Sequence, residues 1–139
     1  MTHDFLIAAA LQQVYKVRYY IERVGLHPDT TRDGKPTALC YACMKPNLPL
    51  VDYYLDKGAS VNARDAMGMT PLHYAALGGC EACLSRLIAA GAPVNQPNHG
   101  GETPLATATY RSRSVACAEL LRCYGAVIHG EAARQPCFH

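Results

Sequence analysis

Apolar positions fall along the chain in short paired blocks. From Phe5 it reads Phe-Leu-Ile-Ala-Ala-Ala-Leu, then continues through apolar Val14, Val17, Tyr20 and Ile21 to Gly25. Comparable blocks follow, each a compact apolar run, a polar break, a second run with apolar residues every three or four positions, and a glycine. This spacing predicts pairs of short amphipathic helices, with no alternating stretch to suggest a sheet. Thr37-Ala-Leu-Cys-Tyr-Ala-Cys43, Thr70-Pro-Leu-His-Tyr-Ala-Ala76 and Thr103-Pro-Leu-Ala-Thr-Ala-Thr109 begin 33 residues apart. Gly-Ala recurs at Gly58, Gly91 and Gly125, lying 21, 21 and 22 residues after the threonines. A fixed period of this length marks a stack of repeated units, each covering its neighbour's apolar face.

The residue types suit the places they occupy. Thr70 caps a helix whose first residue is Pro71, where a missing N–H costs nothing. Ala75 and Ala76 let paired helices approach closely, and Gly91 supplies the left-handed residue that ends the second helix. The unit Asp65-Ala-Met-Gly-Met-Thr-Pro-Leu-His-Tyr-Ala-Ala, with Gly79, Leu87-Ile88 and Gly91-Ala-Pro-Val-Asn95, resembles the ankyrin-repeat consensus nearly end to end. The resemblance implies an all-α solenoid of helix-turn-helix units joined by β-hairpin-like loops. It also implies that His73 ties neighbouring turns together by hydrogen bonds rather than acting in catalysis.

The register divides one domain, residues 1–139, into a capping unit at 4–29, full units at 30–62, 63–95 and 96–129, and a tail at 130–139. The capping unit aligns with the back half of a repeat. The outer units depart from the pattern: Ala38 and Cys40 replace the proline and histidine of the first, and Ala106 replaces the histidine of the third. Pro46 and Pro49 bracket the first full unit's inter-helix turn. The third unit carries one extra residue, expected in Tyr110–Ser114 between its helices. Arg122 stands where earlier units have Leu55 and Ile88, a charge suited to an outer face.

Composition narrows the function. With 13 basic and 11 acidic residues the net charge is +2, without the basic excess typical of nucleic-acid or membrane-surface proteins. No apolar run is long enough to span a bilayer. Phe5–Leu11 is read as structure rather than a signal peptide, because Asp4 sits where a positive charge belongs. The seven cysteines, an odd number, lie mostly on apolar helical faces and are expected to be free thiols in a reducing cytoplasm.

Two Cys-x-x-Cys pairs, Cys40/Cys43 and Cys80/Cys83, are the one chemical suggestion, since two such pairs can grip a zinc ion or carry redox chemistry. Their different register places argue against convergence, and small buried packing residues is the simpler reading. Cys80 falls near a helix N-terminus, where a thiol gains reactivity. The scattered histidines show no metal-ligand spacing, and no phosphate loop or nucleophile elbow is present. No cofactor and no catalytic residue are expected.

Ankyrin resemblance instead implies binding through the hairpin tips and the exposed side of each first helix. By register these are Thr31, Asp33, Pro36, Met44 and Lys45, then Arg64, Ala66, Met67, Met69 and Leu77, then Pro97, His99, Glu102, Tyr110 and Arg111. Met67, Met69, Leu77, Met44 and Tyr110 form an apolar centre of adaptable side chains, and Lys45, Arg64 and Arg111 a basic rim. The aromatic pairs Tyr19-Tyr20 and Tyr53-Tyr54 are expected to point the second residue inward and the first outward. The sequence therefore predicts a monomeric, cytoplasmic adaptor or inhibitor of one protein partner, with bacterial toxin-neutralising immunity proteins as a narrower version and a thiol-based zinc or redox protein as the alternative.

Overall fold

The computed structural model describes residues 2–29, 34–45 and 47–125. Thr31, Asp33, Pro46 and the expected tail at 130–139 lie outside them. Among the described residues there is no strand, and the helices follow one another as antiparallel pairs: α1 (Thr2–Ala10) with α2 (Val14–Arg18), α3 (Ala38–Met44) with α4 (Leu48–Asp56), α5 (Pro71–Leu77) with α6 (Glu81–Ala89), and α7 (Pro104–Ala106) with α8 (Val115–Cys123). π-Helical turns extend α2 through Tyr19–Val24 and α7 through Thr107–Arg111. The first helices stack into one layer, α1 on α3 on α5 on α7, and the second helices stack α4 on α6 on α8. Residues 2–24 thus supply both helices of a unit.

The core runs continuously between the layers. Phe5, Leu39, Leu72 and Leu105 share one place in the four first helices, and Tyr54, Leu87 and Leu121 share one in the second helices; all are fully buried. Ala8-Ala9, Ala42-Cys43 and Ala75-Ala76 are equally buried, so small side chains set the close helix approach. Tyr54 points inward and Tyr19 is exposed, while Tyr20 is half-buried with its ring 6.3 Å from Phe5, edge to face. Tyr53 lies half-buried on the outer side beneath the cations of Arg18 at 5.8 Å and Lys57 at 5.6 Å.

The starts of α4, α5, α6, α7 and α8 are capped by a side chain. Thr70 Oγ1 accepts the His73 N–H at 3.4 Å, and Thr103 Oγ1 accepts that of Ala106 at 3.3 Å. At the second-helix starts Asn47, Cys80 and Ser114 occupy one place and accept from Leu50, Cys83 and Cys117. Just before the second helix's N-cap the chain is left-handed in three of the units, at φ +69° for Gly79 but also +55° for Gln12 and +53° for Arg113.

The extra residue of the last unit is not loop. Eleven residues separate Thr103 from Ser114, against ten from Thr70 to Cys80, and the surplus widens the end of the first helix into the π turn at Thr107–Arg111. The exit bond shows the count directly, because Ser114 N–H reaches six residues back to Ala108 where Cys80 N–H reaches five back to Ala75. α2 absorbs another surplus residue the same way, with Leu26 N–H bonding Tyr20 where Ala59 bonds Tyr54. A π turn takes in one residue without shifting the flanking elements, which a longer loop would not ensure.

Hydrogen bonds run from unit to unit. His73 Nδ1 accepts the Thr70 N–H at 3.2 Å and Nε2 donates to the Glu102 carbonyl of the next hairpin at 2.8 Å. Successive hairpin tips join backbone to backbone, Ala66 N–H to Gly34 O at 2.8 Å and His99 N–H to Met67 O at 3.0 Å. Gly68 sits in this ladder at φ +76°, where a Cβ would stand 2.8 Å from the His99 nitrogen. Arg64 spans the same two tips, donating Nε to Gly68 O at 3.3 Å and Nη2 to Pro97 O at 3.0 Å.

His73 is fully buried, and burial first of all holds its imidazole below the ordinary histidine pKa, as the neutral ring its bonds require. His73→Ala should lower stability by about 1–3 kcal/mol, because buried groups lose their partner. Since the unfolded chain binds a proton that the folded chain refuses, stability should fall as pH drops below about 6.5. A His73→Gln variant should lose that part of the slope, read as urea midpoint against pH. For Arg64→Ala, loss of two bonds to carbonyls should cost about 1 kcal/mol. Lys45→Ala, an exposed position, should stay within about 0.5 kcal/mol in the same unfolding assay.

Candidate functional site

The surface formed by the hairpin tips and the exposed side of the first helices carries the sequence-predicted residues, and it divides them into two groups. Met67 stands out from a tip whose backbone is fixed by Asp65, whose Oδ1 accepts the Met67 N–H at 2.9 Å and the Met69 N–H at 3.0 Å. It is 67% exposed, and Tyr110, raised on the π turn of the last unit, is 64% exposed. His99 and Lys45 are exposed as well. Met44 and Leu77, at the ends of α3 and α5, are half-buried. Tight turns with internally bonded backbone can present large apolar side chains without loss of order.

The second group is engaged within the chain. Met69 is half-buried, and its sulfur accepts the Asn98 amide at 3.2 Å. Asn98 repeats the role of Asp65 one unit on, its Oδ1 accepting the N–H groups of Gly100 at 2.9 Å and Glu102 at 3.0 Å. Glu102 is half-buried, with its carboxylate accepting from Thr107 Oγ1 at 2.7 Å and from Arg111 Nε at 2.8 and 3.1 Å. Arg64 bridges the tips. All three members of the expected basic rim are exposed, but Arg64 and Arg111 are engaged in holding hairpins in place, and Lys45 is the one whose charge is unpaired among the described residues.

Sequence reasoning passed over residues that share these places. Ile7, Tyr41 and Tyr74 occupy one position of the first helices, 34 and 33 residues apart, and Ile7 is 44% exposed. Leu11, at the place of Lys45, is 64% exposed. The signal was the register itself, which reaches the capping unit once α1 is aligned through Phe5 and Leu39. Tyr74 lies over the hairpin with its hydroxyl donating to Asp65. That bond and burial push its phenol above the ordinary range, burial first.

Most of the described thiols are placed as expected. Among the described residues five are free, and Cys40, Cys43, Cys83 and Cys117 are buried while Cys80 is half-buried. Cys123, in the last turn of α8, is disulfide-bonded, so the expectation of free thiols throughout is corrected there. Cys43 and Cys83 do meet, across the junction of two units, although they hold different register places. The contact is made between α3 and α6, a first and a second helix of adjacent units. Among the described residues no three His, Cys, Asp or Glu side chains are arranged to hold a metal ion. Burial raises the Cys40 thiol to about 11, which suits a packing residue. Both ring nitrogens of His73 are bonded, so it offers no site for proton transfer.

No helix among the described residues is long and apolar enough to cross a membrane. The family model for Ankyrin repeats (3 copies) matches residues 5–98 and 39–131. Protein fem-1 homolog CG6966 of Drosophila melanogaster is 36% identical over 89 residues, covering 63% of this chain and 13% of that protein. The ankyrin repeat protein L271 of Acanthamoeba polyphaga mimivirus is 29% identical over 99 residues, 68% of this chain and 14% of its own. The inactive serine/threonine-protein kinase TEX14 of Bos taurus is 31% identical over 123 residues, 84% of this chain but 8% of that protein. The chain thus spans a small fraction of the length of these relatives. By the matched repeats, their period and the helix pairs they form, the chain belongs to the ankyrin-repeat family.

Proposed function

We propose that this chain is a protein-binding module that captures one protein partner across its hairpin tips and first-helix surface, acting as an adaptor or inhibitor, and that it catalyses no reaction. Ankyrin repeats are protein–protein interaction modules, and that membership supports the class. The single observation that carries the site is the display of Met67 and Tyr110 at 67% and 64% exposure on backbone held rigid beneath them. Large apolar side chains with adaptable shape, held without a partner, are the composition of an interface centre. Ile7 and Leu11 extend the same surface into the capping unit. An immunity-type inhibitor that neutralises a toxin is one narrower form of this reading, and no observation favours it over an adaptor. The zinc form of the thiol reading gains no support, because Cys43 and Cys80 each approach Cys83 rather than surrounding a common point.

Affinity capture with the wild-type chain identifies the partner, and purified components then give Kd. Met67→Ala combined with Tyr110→Ala should weaken binding by about 2 kcal/mol or more. Both residues are exposed, so the urea midpoint should move by no more than about 0.5 kcal/mol equivalent. Met69→Ala is the poorer choice, since its sulfur is bonded to Asn98. Tyr53→Ala on the outer helices should lose stability and keep the partner. Undiminished binding by the double variant, or loss with Tyr53→Ala alone, sinks the assignment.

A further inference from the structure

The turn Gly78-Gly79 delivers Cys80 to the start of α6, where its sulfur accepts the Cys83 N–H at 3.2 Å. α6 runs nine residues, so its first N–H groups and its dipole favour negative charge on this sulfur. Cys80 is half-buried and is the outermost of three neighbouring sulfurs. Cys83, one turn inward, is buried, and beyond it the Cys43 thiol donates to its sulfur from the preceding unit. Packing does not demand cysteine at either place of α6. Asn47 and Ser114 stand at the Cys80 place, and Leu50 stands at the Cys83 place. Cys117 shares the Cys83 place but has Ser114 as its cap, so the two sulfurs come together in this unit and not in the next.

We propose that Cys80 and Cys83 form an oxidisable dithiol that takes hydrogen peroxide or a small hydroperoxide as oxidant and closes to a Cys80–Cys83 disulfide. In the first step the Cys80 thiolate attacks the peroxide, an S–O bond forms, the O–O bond breaks and the departing hydroxide takes up the proton that the Cys80 thiol released, leaving as water. The Cys83 thiolate then attacks the sulfenic sulfur, the S–S bond forms and the S–O bond breaks, and the hydroxide takes up a proton to leave as a second water. Two thiols and one peroxide give one disulfide and two waters, the sulfurs losing the two electrons that the peroxide gains. The neighbourhood suits this order. The hydrogen bond from Cys43, the largest influence, lowers the Cys83 thiol to about 7, so much of it is thiolate at neutral pH. Burial raises the Cys80 thiol, which makes the first step the slow one and lets it accelerate as pH rises.

The full chain is reduced, freed of reductant, treated with a small excess of hydrogen peroxide at neutral and mildly alkaline pH, then denatured, alkylated and digested with trypsin. Cys80 and Cys83 share the peptide 65–86, Cys40 and Cys43 lie in 33–57, Cys117 in 114–122 and Cys123 in 123–134, so each sulfur group is scored separately by mass. Peptide 65–86 should lose two hydrogens and both alkyl groups, faster at the higher pH, while 33–57 and 114–122 stay fully alkylated. Cys80→Ser, which keeps a capping oxygen as at Ser114, should fold normally and leave Cys83 alkylated. Cys83→Leu should stop at the Cys80 sulfenic acid, trapped by dimedone; should it fail to fold, the Cys80→Ser result decides. An unaltered 65–86 peptide, a cross-link between 33–57 and 65–86, equal oxidation of Cys117, or continued oxidation in Cys80→Ser overturns the proposal.

Discussion

No helix pair in this chain can bury its apolar surface alone, so each is folded by the pair on either side of it. That dependence makes the distance between equivalent residues the controlling quantity. A leucine at the Leu72 place fills the core only if Leu39 and Leu105 arrive at the same height in their own helices. Where the residue count changes, the change must be absorbed before the next layer begins. Both surplus residues are taken up as π turns, one at Tyr19–Val24 and one at Thr107–Arg111. The turn between the two helices keeps its own form throughout: Gln12 and Arg113 hold there the left-handed conformation that glycine adopts at Gly79, at about 1 kcal/mol each.

The same constraint sorts the charged and polar side chains. Stacked hairpins present their backbone edges to one another, and the polar residues of the tips are drawn into closing those edges. Asp65 and Asn98 fold the tips, Arg64 bridges two of them, and Glu102 with Thr107 and Arg111 ties the last tip to its own helix. What is left facing outward at the centre is apolar. The π turn contributes to this directly, since the helical end that carries Arg111 into Glu102 also lifts Tyr110 clear of the surface.

Much of the fold was legible in the sequence, because its determinants are local and repeat. Thr70-Pro-Leu-His gives cap, first turn and inter-unit bond within four residues, and the period repeats cap and first turn at Thr103-Pro104. The placing of the extra residue was not legible: loop and π turn have the same length in sequence, and only packing of the following helix distinguishes them. Residue type marked Met67 and Tyr110 as candidate interface residues, whereas the fate of Arg64 and Arg111 depends on carbonyls and carboxylates brought close from other positions in the chain. The meeting of Cys43 with Cys83 is of the same kind. Their register places differ, and contact arises between layers of adjacent units rather than between equivalent positions. Extension of the exposed surface to Ile7 and Leu11 was readable in principle, by carrying the alignment one unit further back.

The central claim is that the tips and first helices, rather than the outer helices, meet the partner. It is tested most directly by methyl NMR on the chain carrying labelled methionine, isoleucine and leucine, titrated with the purified partner. The account predicts that the ε-methyl signals of Met67 and Met44 and the δ-methyl of Ile7 shift or broaden on binding, with Leu55, Ile88 and Leu120 on the second helices unmoved. Perturbation confined to Leu55, Ile88 and Leu120, with the Met67 methyl unchanged at saturation, would contradict it.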